Sequence, residues 1–215
     1  MKTYAPNTAD AAVVFGVEPF KSPETGEWQF PDQVHECLDT AAELLENGTV
    51  ARIIVSGNRA VRQRYVPGKW HPKSECDMAE EYLVAKGCPP PLKEDISEDC
   101  ASNHVYTTRL ALSLGMERLI GITTPAREQR ALYFGHLVVS PHCQFDVVTI
   151  DHQGTPAEIA QHEQTLKIQQ YAFMDIKPGD LNALEARFYD GEPYGYFKYL
   201  DLAKAYSEKL AAQLT

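Results

Sequence analysis

Four short apolar runs, at 11–15, 52–55, 118–122 and 145–150, recur along the chain with helix-patterned segments between them. This alternation constrains the fold more than any other feature. The runs are rich in β-branched residues and too short for buried helices, so they read as strands. None alternates apolar with polar residues, which is the pattern of parallel strands covered on both faces. The segments between them carry helix punctuation. Residues 34–47 place Val34, Leu38, Ala41, Ala42 and Leu45 on one face and end at Asn47-Gly48. Residues 74–86 open on Ser74 as N-cap, carry acids in the first turn and stop at Gly87. Residues 103–114 stop at Gly115, and 127–139 follow Thr124-Pro125, a cap residue with proline at the first helical position. Thr155-Pro156-Ala157-Glu158 joins N-cap, proline and capping-box glutamate, and predicts a helix to 173.

Strands alternating with helices imply βαβ crossovers and an α/β three-layer sandwich around a mainly parallel sheet. Two helical segments lie between the second and third runs, which leaves open both a strand at 92–96 and a longer excursion. We read 1–175 as this domain and 176–215 as a helical C-terminal extension packed on it. The aromatic tail residues Tyr194, Tyr196, Phe197, Tyr199 and Leu202 make that extension a candidate homo-oligomer contact.

A length of 215 residues suits one domain with a real core. Twenty basic against thirty acidic side chains give a net charge of -10, which argues against nucleic acid as a partner. The opening MKTYAPNTAD has no apolar segment after its lysine, so no secretory signal is expected. No apolar stretch approaches the length of about 18 residues needed to span a membrane. A cytoplasmic location is the expectation. The five cysteines include no CxxC pair, which predicts reduced, mostly buried thiols rather than a disulfide framework or a zinc site. HxH, HExxH, GxSxG, GxGxxG and P-loop patterns are all absent, so no metal site is expected and no cofactor is specified.

In an open parallel sheet, ligands bind beyond the carboxyl ends of the strands. That rule selects three loops. Gly16 follows the first strand. Ser56-Gly57-Asn58-Arg59 follows the second, with Arg62, Arg64 and Lys69 beyond it; a hydroxyl, amide donors and guanidinium forks suit a phosphate or carboxylate. Thr123-Thr124-Pro125-Ala126-Arg127-Glu128-Gln129-Arg130 follows the third, where hydroxyls and two arginines meet a helix start. Arg127 and Arg130 are three residues apart and can share a helix face. Glu75, Glu94 and Asp95 would supply carboxylates as acid or base, and Asn103 sits at the next helix start. Asp151-His152, after the fourth strand, reads as an exposed loop.

Taken in order, these pieces resemble the SanA/YdcF/ElyC-like bacterial proteins over about residues 10 to 150. The resemblance rests on Asp10-Ala-Ala-Val-Val-Phe-Gly16, Ile53-Ile-Val-Ser-Gly57, Ser74-Glu75, Gly87, Pro89, Glu94-Asp95 with Ser97 and Asn103, and Thr123 through Arg130-Ala131. It implies a Rossmann-like fold with polar and charged residues gathered at the strand ends, and nucleotide-like ligands, S-adenosylmethionine included. The chain departs from the family where that family has Asn-Thr followed by glutamate; here stand Asp99-Cys100 and Ser102. Arg127 occupies the position of the family's histidine, and the family's first-helix arginine has no counterpart near Glu36 or Cys37.

The expectation is therefore a small-molecule-binding protein, with phosphoryl or nucleotide hydrolase or transferase chemistry as its enzymatic form. Arg130, Arg127, Thr123, Thr124 and Ser56 to Arg59 would hold the anion. Two alternatives stand beside it: a non-catalytic interaction or sensing protein that keeps the fold, and an S-adenosylmethionine-binding transferase.

Overall fold

A computed structural model describes residues 8–60 and 72–190. Arg62, Arg64, Lys69 and the aromatic tail beyond 190 lie outside the described residues. The main sheet has five strands: β1 (Ala9–Phe15), β4 (Val50–Ser56), β5 (Leu92–Glu94), β6 (Arg118–Thr123) and β7 (Gln144–Thr149). Their order is β5-β4-β1-β6-β7 and every pairing is parallel. A two-stranded antiparallel ribbon of β2 (Phe20–Lys21) and β3 (Trp28–Gln29) interrupts the first crossover.

The helices are α1 (Asp32–Glu46), α2 (Glu75–Ala85), α3 (Cys100–Ser113), α4 (Glu128–Phe134), α5 (Pro156–Phe173) and α6 (Leu181–Asp190). Side chains alternate across β1, so its two faces feed two cores. Ala12 and Val14 pack with Leu38 of α1, Leu83 of α2 and Ile122 of β6. Ala11 and Val13 pack on the other face with Val105 of α3, Phe134 of α4, Phe173 of α5 and Phe188 of α6. Both faces are thus covered by helices, giving the three-layer, Rossmann-like α/β sandwich. The edge strand β7 is only half-buried, with one residue of its six fully buried. Its alternating exposure departs from the expectation that all the runs are covered on both faces.

The chain runs from β1 outward to β4 and β5, then crosses back through α3 to β6 and β7 on the other side. The order reverses between β1 and β6, and that switch point leaves a crevice at the strand tips. β5 settles the open question between the second and third runs as a strand, though a short one of three residues paired only to β4. α3 starts at Cys100 rather than Asn103, because Asp99 is the N-cap: its side chain accepts from Ser102 N at 2.7 Å, and Ser102 Oγ closes the box onto Asp99 N at 3.1 Å. The segment after β6 is one helical path in three pieces, a 3-10 turn over Pro125–Arg127, then α4, then a π turn over Gly135–Val139. No helix among the described residues is long and apolar enough to cross a membrane.

Candidate functional site

A cleft of about 220 Å³ opens at the switch point. Gly16 after β1 and Thr123 and Thr124 after β6 form its floor; α1 contributes Gln33 and Cys37, and α3 contributes Cys100, Asn103 and His104. Arg127, Arg130, Gln161, His162, Thr165 and Gln169 close the side under α5. The three expected loops therefore divide unequally: the first and third line the cleft, and the second reaches it through Ala60 but not through Ser56, Gly57, Asn58 or Arg59.

The loop after β4 is committed to neighbouring backbone. Gly57 N donates to Glu94 O at 2.9 Å, and Asn58 N donates to Ser97 O at 2.7 Å. Asn58 O accepts from Glu75 N at 2.7 Å, so the loop also anchors the start of α2. Ser56 Oγ donates to Glu94 Oε2 at 2.6 Å. Arg59 reaches Asn58 Oδ1 at 3.1 Å and Pro72 O at 2.5 Å. Ser56, Gly57, Asn58 and Arg59, expected as anion ligands, thus stand outside the cleft wall. The physical reason is register: β4 lies one strand away from the switch point, and its loop is knitted to the loop after β5.

The three expected carboxylates also separate. Glu94 is buried and fully engaged: Ile96 N and Ser97 N each donate to Oε1 at 2.9 Å, while Ser56 and Ser97 hydroxyls donate to Oε2 at 2.6 and 2.5 Å. Four donors saturate the two oxygens, which makes Glu94 a tie between strand ends. Asp95 is exposed and does not line the cleft. Glu75, only 6 % exposed, does line it. Its carboxylate fills the space where a side chain on Gly16 would lie, and a Cβ on Gly57 would come within 2.7 Å of its Oε2.

The basic side is unusual in an acidic protein. Neither Arg127 nor Arg130 has a carboxylate ion-pair partner among the described residues. Arg127 Nε donates to His162 Nε2 at 3.3 Å, whereas Arg130 Nε is buried without an acceptor. Burial first, and then the neighbouring Arg130, pull the Arg127 guanidinium down to about 10. Burial and both arginines hold His162 neutral, lowered to about 3. The hydroxyls of Thr123 and Thr124 are engaged by no described residue, and Thr124 makes no side-chain cap. The corner is therefore built from guanidinium and hydroxyl donors rather than from a capped helix end.

His104 was not singled out from the sequence, whereas the cysteines were read as reduced, mostly buried thiols, and three of the five, Cys37, Cys76 and Cys143, are buried. His104 is 1 % exposed, stacked on Phe15 with ring centroids 4.1 Å apart. Its Nδ1 lies 2.8 Å from Cys100 O, which accepts and so fixes the proton on Nδ1; Nε2 is left bare and unpartnered. Desolvation lowers its pKa to about 4. All five cysteines are free. Burial raises Cys100 despite Arg130 beside it, and raises Cys37 to about 12, so neither cleft thiol is an activated nucleophile. No group of three or more His, Cys, Asp or Glu side chains able to hold a metal occurs among the described residues. His152 faces Glu36 of α1 at 3.5 Å and does not line the cleft. α5 had a visible signal in Gln161, Thr165 and Gln169, polar residues at the i, i+4, i+8 spacing of one helix face. Comparison with family models, with curated proteins and with solved structures returned no match.

Proposed function

We propose that this chain is a small-molecule-binding protein that holds an anionic, phosphate- or nucleotide-containing ligand in the switch-point cleft. One observation carries the reading: two adjacent arginines, the Arg127 guanidinium desolvated and the Arg130 Nε buried without an acceptor, have no carboxylate partner among the described residues and share a cleft with the hydroxyls of Thr123 and Thr124. Uncompensated charge removed from water is costly, and an anion at this place would offset that cost through charge-assisted bonds. The position at the point where strand order reverses is where open α/β sheets take ligands, and the SanA/YdcF/ElyC-like resemblance implies the same end of the sheet. Binding is better supported than catalysis. Glu94 has no free acceptor site, Asp95 is outside the cleft, and the cleft thiols are held protonated.

The test is a thermal-shift panel of nucleotides, S-adenosylmethionine, sugar phosphates and divalent metals on wild type and Arg130→Ala. A phosphate-bearing compound should raise the wild-type Tm, and the shift should vanish in Arg130→Ala, whose own Tm stays within a few degrees of wild type. Undiminished binding in that variant would overturn the reading.

A further inference from the structure

Besides its arginines, the cleft carries acceptors contributed by α3. His104 Nε2 is a bare lone pair, because its other ring nitrogen is bound to Cys100 O. Asn103 Oδ1, on a side chain 4 % exposed, is likewise buried without a partner. The carboxylate of Glu75, an acceptor-only group, stands on the same cleft. Buried acceptors without donors are uncommon in folded proteins and call for a partner. No described residue supplies a donor to Asn103 Oδ1 or His104 Nε2, so a ligand with O–H groups is the complement of these two atoms.

Resting on the anion-binding reading above, we propose that the ligand is a small phosphomonoester whose organic part carries hydroxyl groups, such as a pentose phosphate. The phosphate lies at Arg127, Arg130, Thr123 and Thr124, and the hydroxyls donate to Asn103 Oδ1 and His104 Nε2. Two guanidinium forks plus two hydroxyls offer more donors than the roughly four lone-pair sites of a carboxylate accept. A phosphate dianion balances both cations. The volume of about 220 Å³ is below the roughly 300–1,000 Å³ of sites that take drug-sized ligands, which favours one sugar over a dinucleotide.

The experiment is calorimetric titration of the full chain with ribose 5-phosphate, n-pentyl phosphate and inorganic phosphate. The first two share a five-carbon skeleton and differ in hydroxyls. Ribose 5-phosphate should bind at least tenfold more tightly than pentyl phosphate. In Asn103→Leu that preference should shrink several-fold, with the ligand-free Tm unchanged or raised, since an unpartnered acceptor has been removed. Equal affinities for all three phosphates, lost in Arg130→Ala, would overturn this inference and leave the anion site standing. No binding by any of the three, with a nucleotide still raising the wild-type Tm, would overturn this inference alone; silence of both panels would overturn both. A preference that persists undiminished in folded Asn103→Leu and His104→Phe also overturns the assignment. If neither variant folds, the wild-type ratio of ribose 5-phosphate to pentyl phosphate decides alone.

Discussion

The imidazole of His104 has consequences for stability as well as for binding. Desolvation leaves it with a folded-state pKa of about 4, against an ordinary value of 6.5. Between these values the unfolded chain takes up a proton that the folded chain refuses. Its contribution is therefore complete above pH 6.5 and is lost as pH falls toward 4, by about 3 kcal/mol in all. His162, lowered by burial and by the two arginines, acts in the same direction. Urea unfolding at a series of pH values should show this slope in wild type and a shallower one in His104→Phe; parallel curves would refute it. Residue-level chemistry was only partly legible in the sequence. Arg127, Arg130, Thr123, Thr124, Gly16, Asn103 and Glu75 were named and line the cleft. Glu94 looked like a catalytic carboxylate because nothing in a linear reading shows four donors converging from Ser56, Ile96 and Ser97. His104 carried no local signal, since its character comes from Phe15, distant in the chain, and from burial.

Among the elements, β7 and the π turn that precedes it meet at one aromatic ring. Phe145 lies against both Gly121 of β6 and Gly135 at the start of the π turn, where an added Cβ would collide with the ring. Gly135→Ala should destabilise the fold by about 2 kcal/mol through overpacking, and Phe145→Leu should recover part of that loss. Chemical denaturation of the two single variants and the double one measures the coupling. Helices and strands were legible where punctuation was strong. The Thr155-Pro156-Glu158 capping box opens α5, and Gly48 and Gly115, with φ of 72° and 68°, follow α1 and α3. β5 stayed open because three residues with one strongly apolar side chain give no periodicity; β4 selects it by pairing. α3 begins three residues early because Asp99, not a residue beside Asn103, captures the first free amides.

At the scale of the molecule, an acidic chain of net charge -10 keeps two arginines without a carboxylate partner among the described residues at the reversal of its sheet. Their electrostatic cost falls on the ligand-free state. Arg130→Met retains the apolar stem while deleting the charge and the buried donor. It should stabilise the ligand-free protein by about 1 kcal/mol, read by differential scanning calorimetry, and a lower Tm in that variant would count against the reading. The trade follows the general pattern in which binding groups are kept at the expense of stability. The parallel sheet was legible because its strands are apolar runs. Its order was not, since no single run records which neighbour it will meet. One further property belongs to the whole chain. The carboxylate of Glu75 occupies the room left by the missing side chains of Gly16 and Gly57. These three positions come from the ends of two strands and the start of a helix, so they can change only together. Any relative that replaces one glycine must shorten or move the acid; losing the acid alone does not free the glycines, since a Cβ on Gly16 would still meet Ser56 O at 2.7 Å and Gly57 has φ of 135°. The most informative fingerprint of this architecture is thus a discontinuous triplet, Gly16, Gly57 and Glu75, rather than a run of adjacent letters.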